Sequence, residues 1–233
     1  MNPPSSWLSD LENISVMRRY PRWLMDMAGP HLGQRVLEIG CGIGSNMLLL
    51  RNREYVLGVD KDPEAVREAS ERIAGIRGME AREMDVLDPG FASLSKSNLS
   101  GVLLVNVLSL AGDSSLAVSN AVRVLQPGGK MVILDVAVPA ISGRLDREWG
   151  LKRFRLGEMR DLLVSNGLEI VTLRHFNLLG LFGWLWDSVL RGRDSISRED
   201  YAARDRFVPL ARFLDKVTGP PIGRSLFAVA RKK

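Results

Sequence analysis

Cysteine and histidine are almost missing from this chain of 233 residues, which has one Cys, at position 41, and two His. A lone thiol cannot close an internal disulfide, and so few ligands supply neither a Cys-based zinc site nor a His cluster. Disulfide-stapled folds and zinc modules are therefore excluded, and no metal is expected. No run of about 18 or more apolar residues is present to cross a membrane. The opening MNPPSSWLSDLEN has neither a basic n-region nor an apolar h-region, so a reducing, cytoplasmic location is expected. What is present is ordinary for a globular protein: 45% apolar, 25% charged, 22 Gly and 11 Pro. One domain with an elaborated end is the reading for 1–233.

Charge is unevenly placed. Residues 1–139 hold 14 Lys/Arg against 16 Asp/Glu, whereas 140–233 hold 18 against 11. The basic second part suits an anionic membrane surface or simply solvated helices, because both give the same count. Nucleic acid is disfavoured as a partner: there is no long Lys/Arg run interleaved with aromatics, and no Asn/Asp-Pro-Pro-aromatic signature follows the fourth strand pattern.

Apolar runs alternate with helical patterns. VLEI (36–39), YVLGV (55–59), GVLLVNVL (101–108), KMVILDVAV (130–138) and LEIVTLRHF (168–176) read as strands, and strands apolar throughout are buried on both faces, as in a parallel sheet covered by helices. Helices are expected near 45–52, 63–74, 113–125 and 156–166, with Asp113 as an N-cap and Pro127-Gly128-Gly129 ending the helix it starts. Repeated βαβ alternation predicts an α/β doubly wound, mostly parallel sheet of seven strands. Residues 1–30 read as a helical lead-in interrupted at Pro21, 31–139 as a cofactor-binding core, and 140–224 as an acceptor-side segment. Within the last, 177–216 reads as a helical lid before a final strand at 225–231, or alternatively its apolar first part packs on the sheet's flank as a second small core.

The strongest motif is VLEIGCGIG, Val36 to Gly44, a buried strand running into Gly40, Gly42 and Gly44. Glycines there tolerate positive φ and leave no Cβ, so the backbone approaches a ligand lying across the strand's carboxyl end. The second strand pattern ends in Asp60, followed by Lys61, which places a carboxylate beside the first strand at the height of an adenosine ribose. Glu38 lies two residues before the first glycine and would repel a pyrophosphate, and Ser45 stands where the dinucleotide fingerprint requires Gly or Ala. A nicotinamide oxidoreductase is accordingly disfavoured. S-Adenosylmethionine carries an ammonium and a sulfonium, and both are favoured by an acidic loop mouth. The alternative for Glu38 is an ion pair with Arg35 or another base. MEAREM (79–84) ends in Asp85 and Val86, suited to an adenine amino group and ring nitrogens, and Asn106 lines the pocket near the methyl. Asp88 reads as a turn former and Cys41 as a small filler.

Taken together, the E-x-G-x-G-x-G loop, Asp60, Asp85, Asn106 and the LQPGGK turn (Leu125 to Lys130) resemble the class I S-adenosylmethionine-dependent methyltransferases. VPAISGRLD, FNLLGLFGW, VPL and PPIGRSLFAVARK, starting at Val138, Phe176, Val208 and Pro220, are similar to a bacterial subgroup associated with glycosyltransferases and polysaccharide or lipid pathways. The resemblance implies transfer of a methyl group from S-adenosylmethionine to an O, N or C atom of a natural product, sugar or lipid-linked acceptor. Two histidines of that subgroup are absent: NVLSLAGD follows Asn106 in place of an N-V-L-E-H-type motif, and GLKRFR (Gly150 to Arg155) replaces G-H-Y-R-R-Y. A cofactor-binding subunit without turnover is the alternative. Tyr20, Asp146 and Glu148 are the candidates to meet the acceptor, with His175 a further general base to weigh and His31 read as a surface turn. Acceptor, general base and oligomeric state stay open.

Overall fold

The computed structural model describes residues 7–143, 146–147, 150–186 and 196–233. The apolar runs become β1 (Arg35–Ile39), β2 (Tyr55–Asp60), β4 (Leu99–Val105), β5 (Leu125–Val136) and β7 (Ser225–Lys232), with β3 (Met79–Glu83) and β6 (Leu168–Phe176) at the two edges. One sheet results, ordered β3-β2-β1-β4-β5-β7-β6, in which β7 is antiparallel to both neighbours and the other pairings are parallel. This is the α/β doubly wound architecture. The inner strands are largely buried on both faces, while the edge strands β3 and β6 are mostly half-buried or exposed.

Eight α-helices are described: α1 (Trp7–Ile14), α2 (Arg19–Ala28), α3 (Pro63–Ile73), α4 (Ser114–Val124), α5 (Leu156–Ser165), α6 (Leu178–Trp184), α7 (Arg198–Arg206) and α8 (Val208–Thr218). One sheet face packs Leu37, Leu104 and Ile133 against Ala117 and Ala121 of α4 and Met159 and Leu163 of α5. The other packs Val36, Val132 and Phe227 against Trp23 and Leu24 of α2 and Val208 and Ala211 of α8. Strand order runs outward in both directions from β1 and β4. The crevice beyond their carboxyl ends is where such a sheet accepts a ligand.

Three local expectations need correction. No α-helix forms over 45–52: the chain turns after Gly44 and makes one 3₁₀ stretch, Met47–Leu50. Met47 is wholly buried, with its thioether in the space that Gly58 leaves by having no Cβ. A straight helix would not deliver it there. The lead-in breaks at residues 15–18 rather than at Pro21, which lies in the first turn of α2, where a missing N–H is tolerated. Pro127-Gly128-Gly129 belongs to β5, which begins at Leu125, and a register shift between Leu99 and Gly101 absorbs it. Asp113 does cap α4, accepting from Leu116 N at 2.9 Å.

The segment after β6 is tied down by two buried carboxylates. Asp205 of α7 accepts from the backbone N–H of Arg18 at 3.0 Å and of Tyr20 at 2.9 Å, and also from that of Arg19, so it caps α2 from across the molecule. Asp215 of α8 likewise accepts from the N–H groups of Asn177 and Leu178 at the start of α6. In Asp205→Ala three N–H groups at the start of α2 lose their acceptor. A stability loss of about 2–3 kcal/mol is expected, as for other charged caps, with Asp205→Asn intermediate. Thermal unfolding checks this, and an unchanged midpoint would show that the cap holds nothing. Leu181 and Trp184 of the apolar 178–186 stretch are buried, whereas Phe182 and Trp186 are 60% and 54% exposed.

Candidate functional site

Glu38 stands at the carboxyl end of β1, between Gly58 of β2 and Leu103 of β4, and is 1% exposed. Asn46 Nδ2 donates to its Oε1 at 3.0 Å, while Oε2 is buried with no partner. Burial lifts the carboxyl to about 8; the Asn46 bond opposes this and the charge of Asp60 adds to it. Arg35, the counter-ion of the purely structural alternative, pairs instead with Glu54 at 2.8 Å. Glu38 is therefore a buried carboxylate with one oxygen unsatisfied, the feature that a cationic ligand would complete.

The glycine loop is held from inside and outside. Gly40 N and Cys41 N both donate to Val59 O, at 2.8 and 3.0 Å. Gly42 N donates to Asp60 Oδ2 at 2.8 Å, and Asp62 N donates to Asp60 Oδ1 at 3.1 Å. Burial raises the Asp60 carboxyl, against the pull of these N–H groups. Gly40, Gly42 and Gly44 all have positive φ, and Val107, Leu11 of α1 and Ala69 of α3 fill the space beside each in turn. Cys41 is buried, which pushes its thiol far up and leaves no nucleophile.

Further along the same edge, Leu87 N donates to Asp85 Oδ1 at 2.9 Å, and Asn120 Nδ2 donates to Val86 O at 2.8 Å. Asp88 accepts from Gly90 N as the turn former expected. Asn106 is exposed at φ +55, a conformation that Asn tolerates, with its N–H donating to Leu134 O at 2.8 Å. Glu38, the three glycines, Asp60, Asp85, Val86 and Asn106 thus lie along the carboxyl ends of β1 to β4. Lys61 is exposed next to Asp60.

Several supporting residues were not singled out from the sequence. Asn46, two positions past Gly44, was within reach of such reasoning; Asn120 and Asp135 act across the fold and leave no local signature. Asp135, fully buried at the tip of β5, accepts from Ser109 N at 3.2 Å and so fixes the loop after β4. Burial raises its carboxyl to about 6.

The acceptor-side candidates separate. Tyr20 is half-buried, edge-on to Trp23, with its hydroxyl beside Ser225 and Asn177; burial raises its pKa, which makes it a donor rather than a base. Asp146 is withdrawn as an acceptor contact, because both oxygens are engaged: Arg153 Nε donates to Oδ2 at 2.8 Å, Arg153 Nη2 to Oδ1 at 3.1 Å, and Gly143 N to Oδ2. Glu148 lies outside the described residues. His175, at the end of edge strand β6, is half-buried, and burial lowers its pKa. His31 sits in the turn before β1, at the opposite edge. Among the described residues no group of three or more metal-ligating side chains forms.

Comparison with known proteins agrees with this geometry. A family model described as a methyltransferase domain matches residues 36–129, from the start of the glycine motif to the turn within β5. The phosphatidylethanolamine N-methyltransferase of Cereibacter sphaeroides is 31% identical over 168 residues, 66% of this chain and 79% of that one. Nocamycin O-methyltransferase of Saccharothrix syringae is 26% identical over 182 residues, 75% of this chain and 61% of that one. The chain spans only 37% of the length of a further relative from Streptomyces fradiae. Among solved structures, geranyl diphosphate C-methyltransferase from Streptomyces coelicolor A3(2) shares the fold, with a TM-score of 0.65 at 16% identity, over 99% of this chain and 84% of that one. The chain belongs to the class I S-adenosylmethionine-dependent methyltransferases, whose cofactor is S-adenosylmethionine.

Proposed function

We propose that the protein transfers a methyl group from S-adenosylmethionine to a small-molecule acceptor. The observation that carries this is the buried, unsatisfied Oε2 of Glu38 beside the glycine loop and Asp60. When bound, the cofactor supplies a sulfonium-activated methyl group for in-line displacement. Glu38 is assigned to the ammonium, Asp60 to the ribose hydroxyls, and Asp85 with the Val86 backbone to the adenine. Asn106 and the loop fixed by Asp135 form the wall between cofactor and acceptor. Alignment of donor and acceptor supplies much of the acceleration, on the order of 7–11 kcal/mol in favourable cases, so a general base is not obligatory.

Residues 140–224 form the acceptor side in this reading; as far as they are described, α6 to α8 follow β6, and Val208 and Ala211 of α8 pack on a sheet face beside α2. Arg191, Arg193 and Arg198 are the cations that this reading offers to a phosphate or an anionic surface; of the three, Arg191 and Arg193 lie outside the described residues. Support for a lipid-linked acceptor at a membrane surface comes from α8, where Leu210, Phe213 and Val217 are exposed at helical spacing, and from the lipid methyltransferase named among the relatives. No described helix is long and apolar enough to cross a membrane.

The test is methyl transfer from labelled S-adenosylmethionine to a panel of phenolic, amine and phospholipid acceptors, with calorimetric binding of the cofactor measured alongside. Tight binding with no transfer to any acceptor favours the subunit without turnover; no binding sinks both readings. Within this frame, Asp60→Ala is expected to weaken S-adenosylmethionine binding about 10- to 100-fold, since a charged hydrogen bond contributes about 1.5–3 kcal/mol. Wild-type affinity in that variant would remove Asp60 from the ribose site.

A further inference from the structure

Among the described residues, a guanidinium without an ion pair stands where β7 begins. Arg153 and Asp146 form a closed pair, each side chain 1% exposed, and Arg153 Nη1 also donates to Ala137 O at 2.9 Å. Among the described residues Arg224 has no such partner. It packs against the same Trp184 ring as Arg153, each guanidinium carbon 4.8 Å from the ring centroid. Its Nε is buried without a hydrogen bond, and among the described residues no carboxylate pairs with it. The Tyr20 hydroxyl, beside Ser225 and Asn177, lies within its field.

The backbone, not the side chain, puts Arg224 there. Arg224 N donates to Asn177 O at 3.2 Å and Ala137 N donates to Arg224 O at 2.8 Å, which fixes the residue at the carboxyl-end edge of β5. In the strand order β1-β4-β5-β7, the start of β7 lies three strands from Glu38, about 14–15 Å at strand spacing. An acceptor lying across β4 and β5, with its reactive atom near Asn106, would turn its far end toward Arg224. Stacking on Trp184 fixes the guanidinium plane, and the buried Nε–H, which has no acceptor of its own, forms with an Nη–H the edge that a planar or tetrahedral oxyanion would complete through two hydrogen bonds.

We propose that Arg224, backed by Trp184 and flanked by the Tyr20 hydroxyl, binds an oxyanion of the acceptor, a phosphate ester or a carboxylate, and so determines substrate class. The term acceptor rests on the methyl-transfer reading; the anion site itself does not. The experiment titrates the full chain with phenyl phosphate, benzoate and dihexanoylphosphatidic acid below its micelle concentration, with and without saturating S-adenosylhomocysteine. The three arms separate a free phosphate ester, a carboxylate and a lipid phosphate. Wild type is expected to bind at least one probe, with the Arg224 Nε–H resonance shifting on addition. Arg224→Gln is expected to weaken that binding at least about tenfold while cofactor affinity stays within about threefold, and Arg224→Lys to retain part of it. No binding of any probe, an unmoved Nε–H resonance, or equal affinity in Arg224→Gln overturns the proposal. The resonance shift decides the matter in wild type even where the Gln variant fails to fold. If S-adenosylhomocysteine does not bind, the methyl-transfer reading falls while the titrations without it still decide Arg224.

Discussion

S-Adenosylmethionine binding is expected to fall below detection in Gly42→Val, in a chain that still folds. Gly42 has φ +50, and a Cβ there would come within 3.3 Å of Leu11 Cδ1. The contact alone is not decisive, because the end of a leucine side chain moves by a few tenths of an ångström. The backbone is decisive: a β-branched residue at positive φ is strained by about 1–2 kcal/mol or more, and the chain escapes by rotating to negative φ. That rotation swings the Gly42 N–H away from Asp60 Oδ2, which it meets at 2.8 Å. Asp60 then loses one of the two bonds that orient it, so loop shape and ribose carboxylate fail together. Gly75→Ala is the control. Gly75 has φ +77 with nothing within 4 Å of a Cβ, so Ala there bears a penalty of the same kind, smaller than that of a β-branched residue, far from the site. Calorimetry should show wild-type affinity for Gly75→Ala and none for Gly42→Val; measurable binding by the Val variant within tenfold of wild type would move the pocket elsewhere.

This contrast also shows what one sequence can and cannot convey. Leu37, Val102 and Ile133 sit in runs dominated by Val, Leu and Ile, and such runs have no stable place except between two helical layers, so the parallel sheet could be read directly. The juxtaposition of Glu38, Gly42 and Asp60 was legible because two neighbouring strand ends, of β1 and β2, and the turn after the first bring them together. Met47 was not: the 3₁₀ stretch that carries it follows from a vacancy at Gly58 in another strand. Asp146 misled for a related reason, since a carboxylate in a loop looks available until Arg153, seven residues on, folds over it. Asp205 and Asp215 carry no local sign of the helices they cap, because the N–H groups they accept from lie about 186 and 37 residues away. Excising 178–215 would therefore remove two caps and the core contacts of Val208 and Ala211 as well as any lid.

Glu38→Gln is expected to reduce cofactor affinity at pH 8 by at least about a hundredfold and to abolish its pH dependence between 6 and 8. Removing one partner of a buried ion pair costs about 3–5 kcal/mol, more than the loss of a single ribose contact. The pH dependence follows from where the proton sits. With its carboxyl raised to about 8 by burial, Glu38 is protonated in the free folded protein at pH 6, whereas an ordinary glutamate in the unfolded chain has ionised by then. For this group, folding stability is greatest below the ordinary glutamate pKa and declines as pH rises toward 8, because ionisation places an uncompensated charge beside Asn46. Cofactor binding has the opposite sign. An ammonium requires the carboxylate, so at pH 6 to 7 binding must expel close to one proton, and affinity rises up to about tenfold per pH unit until Glu38 ionises unaided. Gln is close in shape and still accepts from Asn46, but it has no proton to lose. Calorimetry at pH 7 in two buffers of different ionisation enthalpy should register proton release near one for wild type and near zero for Glu38→Gln. Wild-type binding that is flat from pH 6 to 8 with no proton released would show that Glu38 is already ionised without a ligand, and that its second oxygen is satisfied by something other than the ammonium.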